Sequence, residues 1–111
     1  MPKPSHPLKD IKKLIRENNV LINQNALSDA WDVFGWRPDK IKKCLLKLND
    51  KYHSLNREKN HFHKSEPHRR FPNTMIDSYK AKKIMEDASV YTHIYIDPKS
   101  EMLIISSFKE L

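Results

Sequence analysis

Apolar residues recur at helical spacing in the first half of this chain and alternate with polar ones in the second, so helices are expected first and strands afterwards. Leu8, Ile11, Leu14 and Ile15 share one helix face, with Lys9, Asp10, Lys12, Lys13 and Arg16 toward solvent. Pro7 suits a first helical position, where its missing N–H costs nothing, and Asn18-Asn19 ends the helix. Val20-Leu21-Ile22 is a short apolar segment leading into a second helix, which starts near Asn25 and runs through Ala26, Leu27, Ala30, Trp31, Val33 and Phe34. Gly35, the only glycine, follows directly, as a left-handed C-cap requires. Arg37-Pro38-Asp39 restarts the chain as a third helix with Ile41, Cys44, Leu45 and Leu48 on one face, so helices two and three form a tight hairpin. Lys40, Lys42, Lys43 and Lys47 along that helix read as a solvated face rather than a DNA-recognition surface.

After Asn49-Asp50 the period changes. Residues 51–60 are polar and irregular, and His61 to Lys64 form a short strand. Pro67 and Pro72 bracket a loop carrying His68, Arg69 and Arg70. Asp77 and Tyr79 in alternation favour a strand from Met75 to Lys83, and Asp77 is a lone acid that reads as buried. Ser89 to Asp97, rich in β-branched and aromatic residues, is the clearest strand. Val90, Thr92, Ile94 and Ile96 lie on one face of it, and Tyr91, His93 and Tyr95 on the other. Asp97 to Glu101 make a turn and Met102 to Phe108 the returning strand. The expected architecture is α+β: N-terminal helices packed on one face of an antiparallel β-sheet.

Composition narrows the class. A length of 111 residues suits a single domain over 1–111, with residues 1–6 as a flexible arm. A lone cysteine, Cys44, forms no internal disulfide and, from its spacing, is a core thiol. No apolar run approaches a membrane span and no signal-peptide pattern opens the chain, so the expected location is cytoplasmic with no membrane partner. Net charge is +7, and residues 51–73 hold +4 of it in under a quarter of the chain. Such a concentration attracts a polyanion, most simply a nucleic acid, although an acidic protein would answer the same field.

The stretch from His61 to Tyr79 holds three of the six histidines (His61, His63 and His68) beside Lys64, Arg69 and Arg70. Proton-transfer groups next to phosphate-binding groups are what metal-independent RNA cleavage needs. A base removes the ribose 2′-OH proton, cations stabilise the pentacoordinate phosphorus, and an acid protonates the leaving 5′-oxygen. One glycine excludes a phosphate-cradling glycine loop. His61-Phe62-His63 is an HxH, but no cysteine or carboxylate cluster completes a tetrahedral set, so neither a metal nor a small-molecule cofactor is expected.

Six blocks in register resemble the MqsR family, mRNA interferase toxins of bacterial toxin–antitoxin pairs. LKDIKKLIRENNV from Leu8 is similar to the family's first helix, and NALSDAWDVFGWRPDKIKKCLLKLN from Asn25 to its helical hairpin. Phe62-His63-Lys64-Ser65 looks like the F-Y-K-S motif, Asp77-Ser78-Tyr79 like the following D-x-Y, Val90 to Ile96 like the V-Y-x-K strand, and Ser107 to Glu110 like the closing S-F-K-E. The resemblance implies a RelE-like ribonuclease fold and ribosome-independent, sequence-specific cleavage of single-stranded mRNA. It also implies growth arrest and neutralisation by a cognate antitoxin protein. Carried over by position, Lys64, Tyr91 and Lys109 match functional residues of the family. Its glutamine before the D-x-Y acid is Ile76 here, and its V-Y-x-K lysine is His93. His68 or His93 is therefore expected to move a proton, since His93 shares a strand face with Tyr91. His63, Arg69, Arg70, Tyr79 and Lys80 are expected to bind RNA, with Arg69, Arg70 and Lys80 gripping its backbone; a tyrosine can orient a phosphate or stack on a base. Two further readings stand: a non-catalytic nucleic-acid-binding co-repressor, and a ribosome-dependent nuclease of RelE type.

Overall fold

In the computed structural model, which describes residues 3–50 and 60–111, the change of period along the sequence becomes a change of layer. The elements run α1 (Leu8–Arg16), β1 (Val20–Ile22), α2 (Gln24–Phe34), α3 (Pro38–Leu46), β2 (Phe62–Pro67), β3 (Met75–Met85), β4 (Ala88–Ile96) and β5 (Leu103–Glu110). The expected α+β architecture is what forms. The irregular stretch expected over residues 51–60 lies, except for Asn60, outside the described residues, as do His53 and the first two residues of the arm.

Local chemistry sets the helix ends. Pro7 precedes α1 as its N-cap, one position earlier than expected. Past the helix, Asn18 takes φ 60°, and the N–H groups of Asn18 and Asn19 return to the carbonyls of Ile15 and Leu14. Asparagine is among the few residues that accept this left-handed conformation. Gly35 caps α2 at φ 68°, with its N–H on the Trp31 carbonyl, and Pro38 opens α3 at N1. Leu8, Ile11 and Ile15 of α1, Ala26 and Ala30 of α2, and Ile41, Cys44 and Leu45 of α3 meet Tyr79, Ala81, Val90, Ile94, Leu103, Ile105 and Phe108 of the sheet in one core. Trp36 joins it just past α2, its ring stacked at 4.7 Å on Phe34. Burial pushes the Cys44 thiol up to about 12, which fits an inert core residue. Trp31, by contrast, stays exposed, with the Arg37 guanidinium 5.7 Å from its ring centre.

Among the described residues the sheet has five strands in the order β1-β5-β4-β3-β2. Four pair antiparallel, as expected, but Val20–Ile22 is a strand rather than a connector and runs parallel to β5, so the sheet is mixed. Three residues are too few for the alternation that marks a strand. The arm is also shorter than expected: Ser5 and His6 donate their backbone N–H groups to the two oxygens of Asp77 at 3.0 and 2.8 Å, and Pro4 is buried. No helix among the described residues is long and apolar enough to cross a membrane.

Candidate functional site

Strand alternation separates two faces of the sheet. Val90, Thr92 and Ile94 of β4 point into the helix-covered core, which leaves Tyr91, His93 and Tyr95 on the more open side. Pairing then brings partners onto the open side from both neighbours. Tyr91 stands opposite Lys80 on β3 and Lys109 on β5, and His93 opposite Ser78 and Ser107. Lys64 on β2 pairs with Ser78 in turn. Lys64, Lys80, Tyr91, His93 and Lys109, scattered over 46 positions of sequence, thereby share one surface.

Two β-bulges flank this surface. His63 is the extra residue where β2 shifts register between Phe62 and Lys64, and Ser106 the extra one where β5 shifts past His93. Bulges bend a strand locally and re-aim its side chains. Here the His63 ring comes to 6.4 Å from the Tyr91 ring, and the His93 ring lies 4.9 Å from Tyr91. The Lys80 ammonium sits 5.6 Å from the Tyr91 ring centre, within cation–π range.

Electrostatics distinguish these groups. The Nε2 atom of His93 is buried and makes no hydrogen bond among the described residues. Burial is the main cause that holds this imidazole below its ordinary value; Glu66 opposes the shift, while Lys109, Lys64 and His63 reinforce it. The neutral form of His93 is thus favoured, and its Nε2 is without a partner among the described residues. His63 is also lowered, by desolvation first and then by Lys80 and Lys64. Lys64 forms an ion pair with Glu66 at 2.5 Å, and this hydrogen bond is what raises the lysine and lowers the acid.

A cleft of about 530 Å³ opens beside His93 and is lined by Glu66, Pro67, His68, Arg69, Arg70, Ile76 and Ser78. His68, Arg69 and Arg70, expected on a loop, reach the site in this way. His68 has a structural task there: its Nδ1 accepts the N–H groups of Arg70 at 3.0 Å and Phe71 at 3.3 Å. Its ring also packs at 5.1 Å from the rings of both Tyr95 and Phe71. Protonation at Nδ1 would break the loop it caps, so of the two histidines considered for proton transfer His93 is the better placed. Tyr79 does not belong to the site. Its side chain is wholly buried against Phe62 on the helix-covered face, because it alternates with Ser78 and Lys80, and it cannot stack on RNA.

Two residues of the site went unnoticed in the sequence. Glu66 was legible as the i+2 neighbour of Lys64 on a strand, hence on the same face. Ser78 shows only through cross-strand register. Behind the surface, Asp77 is the buried acid expected, and it takes a third hydrogen bond at 2.6 Å from Ser65. Among the described residues no group of three or more His, Cys, Asp or Glu side chains is arranged to hold a metal ion.

Fold and surface together define a small α+β domain whose open sheet face carries lysines, histidines and a tyrosine around a cleft. Compared with known proteins, the chain matches no family model and no curated protein.

Proposed function

We propose that the chain is a metal-independent endoribonuclease acting on single-stranded mRNA, in the manner of the MqsR toxins that its sequence blocks resemble. The observation that carries this reading is the His93 imidazole, its Nε2 unpartnered among the described residues, beside Tyr91 and with Lys64, Lys80 and Lys109 on the same surface. A polyanion is drawn to such a face, and a general base with a free nitrogen is what its cleavage requires. His93 takes the 2′-OH proton, and the 2′-oxygen attacks the adjacent phosphorus. Lys64 and Lys109 stabilise the charge that develops on the phosphoryl oxygens, while Tyr91 holds the phosphate. The 5′-oxygen leaves with a proton from one of the surface lysines, giving a 2′,3′-cyclic phosphate and a 5′-hydroxyl. Lys64 must part from Glu66 to do this, so substrate phosphate competes with an internal carboxylate. Inhibition of translation and neutralisation by an antitoxin follow from the same resemblance.

The test is cleavage of a defined single-stranded RNA by purified protein in EDTA, without ribosomes, beside the Lys64→Ala protein. Cuts at a recurring short sequence, reduced by about 10²–10³ in the variant, are expected for loss of one charge-stabilising group. Tight, salt-sensitive binding without cutting would instead identify a binder. That outcome has one observation in its favour: Ile76 puts an apolar wall in the cleft where the family carries an amide. Activity restored only by ribosomes would mark a ribosome-dependent nuclease.

A further inference from the structure

Beyond Tyr91, away from the His68 loop, β3 does not simply continue. Ala81 pairs with Val90 and Met85 with Ala88, so Lys82, Lys83 and Ile84 stand opposite Ser89 alone. The extra residues bend the strand, and Lys83 adopts φ 48°, a left-handed conformation that a lysine enters only at a cost. The Lys83 N–H is held there by the Ser89 hydroxyl at 3.0 Å. This bulge forms one wall of a second cleft, of about 640 Å³, lined by Lys80, Lys82, Lys83, Asn60, Ile84 and Leu111 among others. Lys82 and Lys83 are exposed, and among the described residues neither has an acidic partner. Lys80 belongs to both regions, since its ammonium lies over Tyr91 while its side chain lines the second cleft.

We propose that this second cleft is a flanking subsite for single-stranded RNA, which takes the phosphates next to those held at Tyr91 and His93. The proposal rests on the ribonuclease reading and extends its footprint. From Ser78, opposite His93, to Lys82 is four strand residues, about 13 Å at the usual rise, so the cleft lies within reach of the same strand of RNA. Lys80 over Tyr91 gives a stacking platform at the junction, and the lysines beyond it form the backbone track that single-strand binders use. Arg69 and Arg70 serve the other end of the same path. The strained bulge has a use in this arrangement: it aims consecutive lysines at one groove, which a regular strand would send to opposite faces.

The test measures binding of uncleavable 2′-O-methyl oligonucleotides of about four and about twelve residues, lengths at the low and high parts of the range that single-strand sites span. Wild type is compared with Lys82→Ala/Lys83→Gly, in which glycine accepts the left-handed backbone and keeps the bulge. The short probe should bind both proteins alike. For the long probe the log–log salt slope should fall by about 1.4, at roughly 0.7 for each phosphate no longer neutralised, so that the deficit relative to wild type grows by about 25-fold between 1 M and 0.1 M salt. Lys82→Arg should bind as wild type does. Equal weakening for both lengths, no weakening, or displacement of the long probe by polyglutamate of equal charge as readily as by RNA would overturn the proposal. Length-dependent binding in a protein that cuts no RNA would keep the subsite and reject the ribonuclease reading.

Discussion

Asp77→Asn is a perturbation whose cost follows from three hydrogen bonds. The Asp77 side chain is wholly buried and accepts the Ser5 N–H at 3.0 Å, the His6 N–H at 2.8 Å and the Ser65 hydroxyl at 2.6 Å. Asparagine preserves the shape but turns one acceptor oxygen into a donor, so either the His6 N–H or the Ser5–Ser65 pair then faces another N–H. Each charge-assisted hydrogen bond contributes roughly 1.5–3 kcal/mol, and an unsatisfied buried donor costs about 1–3 kcal/mol. One missing partner and one donor–donor conflict give a destabilisation of about 2–4 kcal/mol, a large part of the ~5–15 kcal/mol that a domain has. The arm should loosen with it, because the His6 ring is held at the same place, 2.7 Å from the Met75 carbonyl. Urea unfolding followed by tryptophan fluorescence reads the effect directly. With a slope of about 1–3 kcal/mol per molar, the midpoint should fall by roughly 1–2 M. Ser65→Ala, which removes one of the three donors to Asp77 and the partner of the exposed Ser5 hydroxyl, should cost about 1 kcal/mol. An Asp77→Asn midpoint within about 0.3 M of wild type, where the slope would make the loss under 1 kcal/mol, would refute the account of the carboxylate as the clamp on the arm.

Other consequences concern the site itself. His93 titrates below its ordinary value of 6.5 when folded, so the unfolded chain binds more protons in the interval beneath 6.5. Stability should be full above that pH and decline as pH falls through 6.5 toward the folded value, and His93→Gln should flatten this slope in pH-dependent urea titrations. The acid limb of kcat/KM for RNA cleavage should likewise lie below 6.5, and a limb above 7 would remove His93 as the base. Tyr79→Phe deletes a buried hydroxyl that has no hydrogen-bond partner among the described residues. It should leave RNA affinity unchanged and stability equal or slightly higher by thermal melt, whereas a loss of RNA binding would return Tyr79 to the site.

Much of the fold was legible because its signals are local. Helical periodicity placed Leu8, Ile11 and Ile15 in the core, and the single glycine marked the end of α2 through a backbone angle that few other residues adopt. Alternation gave β4 its two faces, and with them the neighbourhood of Tyr91 and His93. Tyr79 was misplaced by the same rule. The alternation was right, but which face is covered by helices is not written in β3 alone, and Ser78 and Lys80 turned out to share the open one.

The sequence by itself determined the types of the three helices and the four longer strands, the helix ends, the basic centre and the resemblance that supplies a candidate chemistry, since each depends on residues close along the chain. Tertiary structure decided three matters. It made Val20–Ile22 a strand, through parallel hydrogen bonds to β5 that no short apolar run announces. It fixed the cross-strand register that sets Lys64, Ser78 and His93 side by side and lets Asp77 hold the arm. It also introduced the bulges at His63, Ser106 and Lys82–Ile84, which re-aim side chains by inserting residues that the opposite strand lacks. Register and bulges are properties of a pair of strands, and a single strand's sequence carries only half of each pair.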